Sequence, residues 1–157
     1  MRFAPESRPY GASNVVHGTN RPDTWTNIWI SDAAQGLPAW LELRWPRPVS
    51  FNEVQLTFDT NAVRRATPPL YRYPECVKDY VVESASGPGW QELVSIEGNY
   101  ERRRVHRFPR SMTDRLRIRV LATNGLASAR IYEVRVYDEP ESDPHAASSG
   151  PARPQIA

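Results

Sequence analysis

Apolar residues in this chain recur at every second position, and over no long window do they follow the three-and-four spacing of a helix. Val54, Leu56 and Phe58 alternate with Glu53, Gln55 and Thr57. Leu116, Ile118 and Val120 alternate with Arg115, Arg117 and Arg119, and Tyr132, Val134 and Val136 alternate with Glu133 and Arg135. Trp90, Val94 and Ile96 also share one parity. Successive side chains of a strand point to opposite faces, so this pattern reads as strands with one face buried and one wet. Eight strands are expected, near 25–30, 39–45, 51–58, 77–84, 89–97, 101–109, 114–121 and 129–137. Short strands separated by Pro, Gly and Asn signals predict an all-β fold, an eight-stranded antiparallel sandwich of the jelly-roll kind. Helices should be short or absent.

The 157 residues suit one domain, and a 39% hydrophobic content suits one ordinary core. Glu139 to Ala157, with four prolines and an Ala-Ala-Ser-Ser-Gly run, reads as a linker or tail, and residues 1–11 as a lead-in. The domain proper is expected over 12–138.

Composition narrows function by exclusion. Twenty basic against 18 acidic residues give a net charge of +2, too balanced to imply nucleic acid by field alone. No apolar run approaches the ~18 residues of a membrane span. One cysteine, Cys76, excludes a disulfide framework within the chain and reads as a structural thiol. Residues Met1–Glu6 lack the apolar stretch of a secretory leader. His17, His106 and His145 are dispersed, and no nucleophile-elbow, phosphate-loop, dinucleotide or zinc-protease motif occurs. A carboxylate pair such as Asp32 with Asp59 stays open, yet a small all-β domain of this kind reads as a binder rather than an enzyme.

If successive strands run antiparallel, alternate connections emerge at opposite ends of the sandwich. One end receives the short loops 46–50, 85–88 and 110–113. The other receives 31–38, 59–76, 98–100 and 122–128, including the single long loop, and binding residues favour long loops on rigid scaffolds. That loop carries Asp59, Asn61, Arg64, Arg65, Tyr71, Arg72 and Tyr73. Aromatic faces beside planar polar groups suit a sugar, whose ring offers a C–H patch and a rim of hydroxyls. Trp29, Asp32 and Asn124 on neighbouring loops complete the candidate ligand site. Trp25, Trp40, Trp45 and Trp90 fall in strand patterns and are expected in the core.

Of the basic residues only Lys78 is a lysine. Arginine offers a fixed fork of donors for carboxylate or hydroxyl recognition, although base composition of the gene explains the same bias. The run Arg102–Arg107 lies in an expected strand, as a solvated face or a docking surface.

Five segments resemble the discoidin family, also called coagulation-factor C-type or galactose-binding-like domains. They are Ala12–Gly18, Pro38–Leu43, Asp79–Glu83, Gly89–Leu93 and Ala129–Tyr137, in the family's order over roughly residues 12–138. The resemblance implies an eight-stranded jelly roll and a non-catalytic module that binds glycans or, in some animal members, phospholipid head groups. Bacterial relatives are usually appended to glycan-active enzymes, which implies a catalytic partner domain and, where the parent acts on glycans, an extracellular or periplasmic setting. Tyr73–Val77 and Arg102–Phe108 further resemble domains fused to FAD-dependent oxidoreductases, the basis of an alternative role as a docking domain without sugar binding. Many relatives hold a structural Ca²⁺ through an Asp where this sequence has His17, and through a Glu matching Glu133. Calcium prefers oxygen ligands, so here Asn20, Asp23, Thr24 and Glu133 are the donors the resemblance implies.

Overall fold

A computed structural model of the chain describes residues 10–22, 26–61 and 72–140. Among the described residues a 3-10 turn, Ala12–Val16, precedes six strands: β1 (Trp29–Ile30), β2 (Ala39–Phe58), β3 (Val77–Ser86), β4 (Gly89–Ile96), β5 (Arg103–Thr123) and β6 (Arg130–Tyr137). All pairings are antiparallel, in the order β1-β6-β2-β5-β3-β4.

Six strands rather than eight result because two expected pairs run on without a break. β2 pairs its first half, Ala39–Arg44, with Val120–Arg115 of β5, and its second half, Glu53–Thr57, with Arg107–Arg103. Register shifts separate the halves at Arg44/Val49 and Phe51/Glu53. The prolines at 46 and 48, read in the sequence as a loop, sit exposed at this corner. Strands turn such corners through bulges when they pass from one layer of a sandwich to the other. One layer therefore holds β1, β6, the second half of β2 and the first half of β5. The other holds the first half of β2, the second half of β5, β3 and β4.

The two layers meet over the alternating residues. Val54, Leu56, Phe58, Tyr80, Val82, Leu116, Ile118, Val120 and Ile131 are fully buried, and each such side chain contributes roughly 1.5–3 kcal/mol of burial. A contact across the layers fixes their spacing, with the rings of Phe58 and Tyr80 5.1 Å apart, while between neighbouring strands Phe51 meets Phe108 edge-on at 5.9 Å. A polar bond joins the layers too, between Tyr80 Oη and His106 Nε2 at 2.7 Å.

Two tryptophans leave the core. Trp40 is 59% exposed, since it shares the parity of Glu42 and Arg44 on the outer face while Leu41 points in. Trp90 is displaced by a register shift between Val82 and Glu83, which leaves Leu93 as the extra residue and puts Trp90 opposite Ala85 on the outer face. There the guanidinium groups of Arg117 and Arg115 lie 4.2 and 5.4 Å from its ring. Trp45 is half-buried beside Phe51, and Trp25 lies outside the described residues. The chain past the last strand stays pinned as far as Glu139, whose N–H donates to Asn52 Oδ1 at 2.8 Å.

Candidate functional site

The loops expected at one end do converge there. Ser31 N–H donates to the Ala129 carbonyl and Ala129 N–H returns a bond to Ser31 Oγ. The 122–128 loop is tied to 73–76 through Asn124 N–H to Cys76 O at 3.0 Å and Leu126 N–H to Pro74 O at 3.1 Å. Gly125 is required at this crossing, because a Cβ there would stand 2.9 Å from Pro74 Cβ.

Several residues expected to face a ligand are instead committed to this scaffold. Asn124 Nδ2 donates to the carbonyls of Cys76 and Asn99, at 3.1 and 3.0 Å. Asp59 is buried, accepts from Asn61 N–H at 2.7 Å and pairs with Arg130 at 3.3 Å. Asn61 takes a positive φ of 49°, a conformation asparagine tolerates, and its side chain donates to Glu75 Oε1 at 3.0 Å. Tyr73 is half-buried against the core, and Trp29, 8% exposed, packs mostly into the core while bordering a cleft at its edge. Arg72 is exposed. Arg64, Arg65 and Tyr71 lie outside the described residues. Asp32 is exposed on the 31–38 loop, whereas Asp59 is buried and paired with Arg130.

The arginine run is likewise engaged. Arg103 donates to Gln55 at 2.7 Å, Arg107 pairs with Glu53 at 2.7 Å, and Arg104 with Glu101 at 3.4 Å. Arg102 donates to the Asn20 carbonyl and to Thr60, and its guanidinium lies 5.1 Å from the Tyr132 ring centroid. Burial first, then the Asp59 charge, pushes the Cys76 thiol up to about 12, so no thiolate nucleophile exists near neutral pH.

The calcium donors implied by resemblance can be tested on these contacts. The Asn20 carbonyl already faces the Arg102 guanidinium, and Glu133 Oε1 lies 2.7 Å from Arg135 Nε. Asp23 and Thr24 lie outside the described residues. Of the described donors, the Asn20 carbonyl oxygen and Glu133 Oε1 thus each face an arginine, and Glu133 Oε1 is buried without a hydrogen-bond partner. Among the described residues, no three metal-ligating side chains cluster.

What the loop end does present is a cleft of about 350 Å³ beside the 31–38 loop. Trp29, Ile30 and Ala39 line it, together with Tyr10, Asp32, Gln35 and Trp40. Tyr10 is 45% exposed and is held by Ile30 N–H donating to its carbonyl at 3.2 Å. An Asx turn sets Asp32, whose Oδ1 accepts from Ala34 N–H at 2.9 Å while Oδ2 takes no part. Gly36 at φ +68° closes the loop, ahead of a cis Leu37–Pro38 bond. Of these residues the sequence singled out Trp29 and Asp32. Trp40 carried a usable signal, its wet-face parity, which its size obscured; Tyr10 and Gln35 carried none.

No family model and no curated protein matches the chain. Solved structures do. A family 32 carbohydrate-binding module from Streptococcus pneumoniae EndoD superposes with a TM-score of 0.68 at 17% identity, covering 87% of this chain and 91% of that one. A family 32 module of a GH31 protein bound to GalNAc gives 0.67 at 13%, covering 84% and 90%. The family 32 module of C. perfringens NanJ in complex with galactose gives 0.64 at 14%, covering 83% and 87%. At such identities the likeness establishes the fold. This chain has the β-sandwich of the family 32 modules, the discoidin or galactose-binding-like fold.

Proposed function

We propose that this domain is a non-catalytic carbohydrate-binding module, with its sugar seated in the Tyr10–Asp32–Gln35–Trp40 cleft. The observation that carries the reading is the exposure of two aromatic side chains, beside Asp32 and Gln35, on one cleft at the loop end. A pyranose needs an aromatic face for its C–H patch and fixed acceptors for its hydroxyls, and Trp40 with Asp32 and Gln35 supplies both. Structures of the same fold solved with galactose, GalNAc and chitotriose support it. The cleft is shallow, so affinity falls near the millimolar range, about 4 kcal/mol. Such a module works by holding a catalytic partner domain on its glycan. Sugar titration followed by tryptophan fluorescence tests the site. Trp40→Ala weakens binding about tenfold or more and, as a surface change, alters stability by less than about 1 kcal/mol. Unchanged affinity in the variant refutes the placement.

A further inference from the structure

We infer that the cleft selects sugars by charge, taking amino sugars in preference to their N-acetylated forms and rejecting uronic acids. The inference rests on reading the cleft as the sugar site and adds the class of sugar it takes.

Asp32 is the one charged side chain among the described residues that line the cleft, and it is exposed there. Its Oδ1 is spent on the Ala34 N–H, which fixes the carboxylate on the 32–35 turn and leaves Oδ2 outside that bond. On the neighbouring strands Arg119, paired in register with Trp40, shares Glu83 with Arg117, at 3.2 and 2.7 Å, and Arg130, paired with Ile30, is held by Asp59 at 3.3 Å. Among the described residues that line the cleft, the charge beside the indole face is therefore that of Asp32 alone. A protonated sugar amine gains a charge-assisted hydrogen bond there, and its ammonium also suits the negative face of the Trp40 ring. A uronate places a second carboxylate against Asp32 and gains nothing in return. A neutral sugar keeps the stacking and loses only the charged bond.

Tetramers of glucosamine, N-acetylglucosamine and galacturonic acid, titrated into isotopically labelled protein at low and at physiological salt, separate the outcomes. Expected is glucosamine about two- to fivefold tighter than its acetylated form, from one exposed ion pair, with the advantage shrinking as salt screens it. Galacturonate should be weakest. Asp32→Asn keeps the turn's acceptor and should erase the glucosamine advantage while improving galacturonate binding. Galacturonate binding as tightly as glucosamine through Tyr10 and Trp40 would overturn the charge selection and leave the cleft standing. A glucosamine preference that survives Asp32→Asn overturns it equally. No shifts in these residues with any of the three sugars overturns the cleft itself, and the inference with it.

Discussion

Lowering the pH strikes at a hydrogen bond between side chains that joins the two layers across the core. His106 is 6% exposed, and its Nε2 lies 2.7 Å from the hydroxyl of the fully buried Tyr80. Burial, reinforced by the positive charge of Arg104, pulls the imidazole down to about 4. An imidazole in the unfolded chain titrates near 6.5. Between about pH 6.5 and 4 the unfolded chain therefore binds a proton that the folded chain refuses, so stability falls as pH falls through that window. A separation of about 2.5 units at 1.36 kcal/mol each makes the full effect about 3 kcal/mol. Urea unfolding of the wild type and of His106→Gln from pH 7.5 to 4 isolates it, because other titrating groups cancel in the difference. The wild type should lose about 3 kcal/mol relative to the variant over the window, with no further divergence above pH 7. Parallel pH profiles, or a His106 ring that titrates near 6.5 by NMR, would refute the reasoning.

Two further expectations concern the loop end. Asn124→Ala strands the carbonyl of Asn99, removes one of the two bonds to that of Cys76, and should cost about 1–3 kcal/mol in chemical denaturation; a change below about 0.5 kcal/mol means water replaces the side chain equally well. With Arg102 and Arg135 standing on the two described donors of the implied metal set, millimolar Ca²⁺ or a chelator should move the thermal midpoint by less than about 1 °C. A rise of several degrees with Ca²⁺ contradicts that account.

How much of this was legible follows from how local each signal is. Alternation at 53–58, 115–120 and 132–136 placed the strands, and antiparallel order alone placed the loops at two ends. The prolines at 46 and 48 misled because a corner between layers and a loop between strands use the same residues, and only pairing distinguishes them. The bulge at Leu93 moved Trp90 to the opposite face, an event invisible to parity because one unpaired residue inverts it. Asn124 looked like a ligand donor because its partners, the carbonyls of residues 76 and 99, are brought near by the fold and not by the sequence. The arginine run looked free for the same reason: Glu53 and Gln55 are distant in the chain and adjacent in register. The cleft's best aromatic was the reverse case, legible by parity and overlooked because tryptophan usually seeks the core.

The most direct test of a sugar-binding cleft is where a sugar perturbs the backbone. Amide shifts of labelled protein titrated with galactose, N-acetylgalactosamine and chitotriose should concentrate on Tyr10, residues 30–36 and Trp40, and fade in Trp40→Ala. Shifts confined to other loops, or none at tens of millimolar sugar, would contradict the account.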